Sequence, residues 1–136
     1  MKVVVDTNVI VSGLLSPFGG PAEIIQMASS GTLQLCYDAR ILSEYQAVLR
    51  RPKFRFDETH VDAFLDQVKA GGHWVAVKPL AKRLPDPDDE PFLEVALAAE
   101  ARCLITGNSK HYPAPRREGM PVVSPTKFLE RYRGQL

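Results

Sequence analysis

Four residues in this sequence have the chemistry and setting to hold a hard cation: Asp6, Glu44, Asp89 and Asn108. Three are carboxylates, and the fourth is an amide whose carbonyl oxygen suits the same kind of ion. Each has a plainer explanation as well. Asp6 directly follows the β-branched run Val3-Val4-Val5, so it stands where a buried strand ends; an aspartate there also caps helices well. Glu44 is three residues after Ile41 and four before Val48, which puts it on or beside the apolar face of a helix. A lone charge there is costly unless it meets a cation, a partner or a cleft. The alternative is a helix start, since Ser43-Glu44-Tyr45-Gln46 has the form of a capping box. Asp89 lies in Asp86-Pro87-Asp88-Asp89-Glu90-Pro91, with Phe92, Leu93 and Ala96 at the third, fourth and seventh positions after it. It therefore begins the inward face of a helix at its N-terminus, where Pro91 is tolerated and the dipole favours an anion. A plain acidic cap on a solvated loop is the alternative, and the better reading for Asp86, Asp88 and Glu90. Asn108 follows Thr106-Gly107 at the end of a second apolar run, where a simple turn residue is also common.

The elements that must position these residues follow from periodicity. Val3–Val5, Leu33–Tyr37, Trp74–Val77, Cys103–Thr106 and the short Val122-Val123 read as strands. Helical spacing runs through Ile24, Ile25 and Met27 after Pro21, ending near Gly31. It recurs at Ile41, Leu42, Tyr45, Val48 and Leu49 before Pro52, and at Val61, Phe64, Leu65 and Val68 before Gly71-Gly72. Further helices are marked by Phe92, Val95, Ala96 and Ala99, and by Lys127–Tyr132. Alternating strands and helices imply right-handed crossovers and a parallel sheet covered on both faces, an α/β sandwich of three layers. The runs VVV and CLI are apolar without alternation, as strands buried on both sides require. Ligands in such sheets collect at the carboxyl ends of the strands, where Asp6 and Asn108 fall. Clustered carboxylates repel unless a cation holds them, so the set implies Mg²⁺ or Mn²⁺, and oxygen-only ligands argue against zinc.

Bulk properties bound the remainder. A chain of 136 residues fits one domain, 1–136, and 45% apolar content is ordinary for a globular protein. The net charge of +1 does not point to a nucleic-acid partner, so any such binding rests on local clusters. Arg50, Arg51, Lys53 and Arg55 form the best of these, ahead of Arg116-Arg117 and Arg131 with Arg133. A solvated face is the alternative for all three groups. Cys36 and Cys103 lie in apolar runs and read as free, buried thiols. No run approaches the roughly 20 apolar residues of a membrane span, and no signal-peptide pattern is present, so a cytoplasmic protein is expected.

Three segments resemble those of the PIN domain family, in order and spacing, over nearly the whole chain. VVVDTNVIVSGLL is similar to the family's opening motif, particularly in its toxin branch. LSEYQAVLRRPKF is similar to the segment carrying the family's glutamate, and DPDDEPFLEVALAAEARCLITGN to its third and fourth motifs. The resemblance implies a Rossmann-like parallel sheet of four to five strands and Mg²⁺- or Mn²⁺-dependent endonuclease action on single-stranded RNA. Asp6, Glu44, Asp89 and Asn108 would then be the metal ligands, Asn108 departing from the aspartate common at that place. Thr7, Asn8 and Thr106 beside them, with Arg50, Arg51 and Lys53, would face the substrate, and Ser12 is a further candidate for orienting it. The resemblance also implies a homodimer or higher oligomer and inhibition by a cognate antitoxin. His60, His73 and His111 fit no catalytic spacing, although Lys110-His111-Tyr112 adjoins the fourth motif and is a candidate RNA contact. Two rivals remain: a PIN module that binds RNA or a partner without cutting, kept alive by Asn108, and a haloacid-dehalogenase-like phosphatase. The latter wants an acid two positions after Asp6, where this chain has Asn8.

Overall fold

A computed structural model describes residues 1–136. Five parallel strands form one sheet in the order β3-β2-β1-β4-β5. They are β1 (Lys2–Val5), β2 (Gln34–Tyr37), β3 (His73–Trp74), β4 (Leu104–Ile105) and β5 (Val122–Val123). Six helices connect and cover them: α1 (Thr7–Leu15), α2 (Gly20–Ser29), α3 (Ala39–Leu49), α4 (Glu58–Gly71), α5 (Glu90–Ala98) and α6 (Pro125–Tyr132). Successive strand residues point to opposite faces, yet Val3, Val4 and Val5 have no exposed surface, and neither do Cys103, Leu104 and Ile105. Both faces of the central strands are therefore covered, giving the expected three-layer α/β/α sandwich. Cys36 and Cys103 are free and buried. No helix is long and apolar enough to cross a membrane.

The strand order reverses at β1. From it the chain winds outward through β2 to β3, then returns to the other side of β1 for β4 and β5. That switch point opens a crevice beyond the carboxyl ends of β1 and β4. The register pairs Val4 with Leu104 and Val5 with Ile105, so Asp6 and Thr106 leave the sheet side by side.

Three features differ from the sequence reading. The fourth strand is shorter than Cys103–Thr106 and comprises Leu104–Ile105. The third strand is shorter than Trp74–Val77 and comprises His73–Trp74. It is an edge strand; Val75 still donates to the Tyr37 carbonyl at 3.1 Å, after which the chain leaves the sheet and meets Pro79. Thr7–Leu15, to which the periodicity assigned no element, is a helix that buries Val9, Ile10 and Val11. Its β-branched run has no helical preference, so burial against neighbouring elements decides its conformation. Gly13 makes the α1–α2 approach close: a Cβ there would lie 2.6 Å from Ile25 Cγ1 and 2.7 Å from the Pro21 carbonyl oxygen. Gly13→Ala, which would gain roughly 0.5–1 kcal/mol in an open helix, is expected instead to cost about 1–2 kcal/mol net from overpacking. Denaturant unfolding would show this as a lower midpoint with an unchanged slope.

Candidate metal and nuclease site

Asp6 occupies the N-cap position of α1 but makes no capping bond with its side chain. The carboxylate turns into the crevice, where its Oδ2 accepts hydrogen bonds from the Thr106 hydroxyl at 2.9 Å and the Tyr112 hydroxyl at 3.1 Å. Burial pushes its pKa up from the ordinary value, and those two donors hold it partly down. Glu44 lies in mid-helix, because α3 starts much earlier: its cap is Asp38, which accepts from the Ile41 amide. The capping-box alternative for Glu44 is thereby removed. α3 begins at the carboxyl end of β2, and Glu44 on it accepts a hydrogen bond from the Thr7 hydroxyl. Burial raises the Glu44 pKa, the nearby Asp6 charge raises it further, and Thr7 opposes both.

Asp89 is at the N-cap position of α5 and, like Asp6, caps nothing with its side chain. Its Oδ2 is buried and has no hydrogen-bond partner, although His111 Nδ1 stands 3.2 Å away. Burial lifts the Asp89 pKa to about 6, with the charges of Asp6 and Glu44 adding to the rise and His111 opposing it. Asp86 caps the preceding turn by accepting from the Asp88 amide, and Glu90 is bound by the Leu84 amide and Arg83. Asp86 therefore caps as expected, whereas Glu90 ties down the loop at residues 83–84.

Asn108 leaves β4 through Gly107. Its backbone amide donates to the Thr106 hydroxyl at 3.1 Å, and its side-chain nitrogen lies 2.9 Å from His111 Nε2. Thr106 has no exposed surface. Its hydroxyl is engaged by the Asp6 carboxylate and the Asn108 backbone amide. Thr7 is likewise buried and engaged by Glu44. Asn8 is exposed, and its side-chain oxygen accepts from the Gly107 amide. Asn8, Ser12, Gly107 and Asn108 line one open groove together with Val9, Pro21 and Pro125.

The basic cluster divides. Arg51 is close enough to Glu44 to lower its pKa, and it shares a cleft with Arg50 and Arg55. Arg50 is paired with Asp62 at 2.6 Å, and Lys53 lies 5.0 Å over the Phe54 ring. Elsewhere Arg116 donates to the Arg83 carbonyl, Arg117 to the Tyr112 carbonyl, and Arg133 pairs with Glu23. These side chains are committed to intramolecular contacts.

Sequence reasoning offered His111 and Tyr112 only within a candidate RNA contact, Lys110-His111-Tyr112, and missed their place beside the acids. Tyr112, fully buried, donates to Asp6, and His111 stands between Asp89 and Asn108. The one available signal was their position just after the motif that carries Asn108. Tyr112→Phe removes one of the two donors that orient Asp6 and is expected to weaken divalent-ion binding about 10-fold; calorimetric titration with Mn²⁺ measures it.

Three carboxylates within mutual electrostatic influence, all with raised pKa values, form a site that disfavours its own ionisation. A hard cation removes that penalty, and the unpartnered, buried Asp89 oxygen is the kind of ligand such an ion would satisfy. No three acidic, histidine or cysteine side chains stand together as a ready-made cage. Protein donors hold Asp6 and Glu44, so a cation would have to draw the carboxylates together.

A family profile described as PIN domain matches residues 2–110, from β1 through the turn that bears Asn108. An uncharacterized protein of Methanocaldococcus jannaschii is 25% identical over 143 residues, covering 97% of this chain and 92% of that protein. Among solved structures, a chain of VapBC2 from Rickettsia felis, bound to a DNA fragment from their promoter, superposes with a TM-score of 0.59. That match covers 91% of this chain and 98% of the other; at 14% identity it shows a shared fold.

Proposed function

The chain belongs to the PIN domain family, and from that premise we propose that it is a Mg²⁺- or Mn²⁺-dependent endoribonuclease that hydrolyses single-stranded RNA. The observation that carries the proposal is the buried Asp89 oxygen without a hydrogen-bond partner, in electrostatic reach of the buried carboxylate of Asp6 and the half-buried one of Glu44 at the switch point. Asp6, Glu44 and Asp89 would hold the cation, and Asn108 would offer its carbonyl oxygen. When bound, that ion supplies charge stabilisation at the phosphate and lowers the pKa of an attacking water from about 15.7 toward about 7.

The chain's own residues have separable tasks in this reading. Thr106 and Tyr112 fix the Asp6 carboxylate, and Thr7 fixes Glu44. Asn8 and Ser12, along the groove that Asn108 also lines, orient the nucleotide next to the scissile phosphate. Arg51, near Glu44, and Arg55 in the same cleft hold the RNA backbone, with Arg50 and Lys53 contributing if they exchange their present partners. The reading extends to a cytoplasmic toxin inhibited by a cognate antitoxin protein and acting as a homodimer or higher oligomer. The fold shared with the Rickettsia felis VapBC2 chain supports the antitoxin, and exposed Leu15, Phe18 and Trp74 offer apolar surface for protein partners.

The test is incubation of mixed single-stranded RNAs with the protein and Mg²⁺ or Mn²⁺, with and without chelator. Chelator-sensitive cleavage is the expected result; cleavage unaffected by chelator would reject the metal-dependent reading. One second reading is favoured by a specific observation. The missing cage, with an amide at position 108, suits a PIN module that binds RNA or a partner without cutting. Calorimetry with Mn²⁺ separates the two, because the inactive module would bind no ion. The phosphatase reading lacks its second acid, since Asn8 is an amide whose oxygen already accepts from Gly107.

A further inference from the structure

We propose that His111 is the positioning residue of this site: its Nε2 clamps the Asn108 side-chain amide, turning the Asn108 carbonyl oxygen away from the ring and leaving that oxygen free for the cation. The inference rests on the metal-dependent reading for its consequence but not for its geometry. The imidazole lies between two proposed ligands, with Nε2 2.9 Å from the Asn108 side-chain nitrogen and Nδ1 3.2 Å from Asp89 Oδ2. An amide nitrogen only donates, so Nε2 must be the acceptor and carry no proton. Nδ1 is 3.2 Å from Asp89 Oδ2 with no hydrogen bond between them, so the contact with Asn108 is the one that fixes the ring. With its nitrogen fixed toward the ring, the Asn108 amide presents its oxygen elsewhere.

The backbone is built to hold this arrangement. His111 ends a 3₁₀ turn, Ser109–His111, whose last amide donates to the Asn108 carbonyl at 3.1 Å. Arg117 secures the turn by donating to the Tyr112 carbonyl at 2.6 Å and the Ser109 carbonyl at 3.4 Å. Adjacent residues of one anchored segment therefore serve different ligands, Tyr112 bonding Asp6 while His111 lies against Asp89 and Asn108. The pair Asn108–His111 is also chemically matched. An aspartate at position 108 has no proton to donate to Nε2 and would force that nitrogen to carry one.

The first measurement is the ring tautomer in the ion-free full chain, read from imidazole ¹⁵N and ¹³C shifts. Wild type is expected to show the Nδ1–H form at His111, and Asn108→Asp to place a proton on Nε2. An Nε2–H ring in wild type overturns the proposal whether or not the protein binds metal. The second is Mn²⁺ affinity by calorimetry. His111→Ala is expected to weaken binding about 10- to 100-fold. His111→Gln, whose head group keeps one acceptor and one donor, is expected to recover to within a few-fold of wild type. Equal affinity in the alanine variant and wild type, or no advantage of glutamine over alanine, overturns the clamp. Absence of Mn²⁺ binding by wild type beside the expected tautomer rejects the metal reading and, with it, the clamp's role toward a cation.

Discussion

Asp6→Asn is expected to lower the rate of RNA cleavage by roughly 10³-fold or more, equivalent to about 4 kcal/mol of lost transition-state stabilisation. The variant is also expected to lose measurable Mn²⁺ binding. Asp6 is the most central of the three acids: it raises the pKa of both Glu44 and Asp89, and it leaves the sheet beside Thr106. Asparagine has the same shape and retains an oxygen for the Thr106 and Tyr112 hydroxyls, so the network around it survives. The ion-free variant should therefore fold at least as stably as wild type at neutral pH, because it no longer buries a charge among other charges. Loss of activity with retained or increased stability is the signature of a ligand. A variant that lost both together would point to a structural role instead.

The second large effect is a dependence of stability on pH that runs opposite to ordinary acid denaturation. Asp89 titrates near 3.8 when unfolded and near 6 in the folded chain, through burial and the charges of Asp6 and Glu44. Between those values the folded state binds a proton that the unfolded state has already released. The unfolding free energy contributed by this group therefore falls as pH rises, present in full below about 4 and lost above about 6. Asp6 and Glu44 are shifted in the same direction and add to the slope. Ion-free protein should lose stability across that window, and millimolar Mg²⁺ or Mn²⁺ at neutral pH should restore it in proportion to occupancy. Asp89→Asn should flatten the slope and raise the neutral-pH stability of ion-free protein by about 1 kcal/mol, allowing for solvent screening at a partly open site. For a chain of this size that is a Tm increase of about 4 °C. The same variant should gain nothing from added cation. Thermal unfolding of both proteins across pH 4–7, with and without Mn²⁺, checks each part, and an upward slope for ion-free wild type would contradict it.

How much of this was legible in the residues follows from what each depends on. Asp6 and Asn108 were placed together by one rule: each ends a doubly buried apolar run, and such ends meet where strand order reverses. Glu44 was legible because a carboxylate on an apolar helix face needs a reason. The same argument would have flagged Glu94, buried on α5 beside Phe92, Leu93 and Val95, but its reason is structural. Its carboxylate is paired with Arg40 at 2.7 Å and accepts from the Leu80 amide at 3.0 Å. Sequence alone does not separate these two glutamates, because their partners come from distant segments. Helix α1 was missed since its β-branched residues prefer strands in isolation, and packing overrides that preference. Tyr112 and His111 were legible only as a candidate RNA contact, and their place beside the acids was hidden for the reason that hides most supporting groups. Tyr112 bonds an aspartate 106 residues earlier in the chain, and only the fold brings the two together.

The measurement that bears most directly on the whole account is anomalous diffraction from crystals equilibrated with Mn²⁺. The account predicts a manganese peak in the crevice beyond β1 and β4, within bonding distance of carboxylate oxygens from Asp6, Glu44 and Asp89 and absent from Asp6→Asn crystals. Manganese found only elsewhere, or an empty crevice at saturating Mn²⁺, would contradict it.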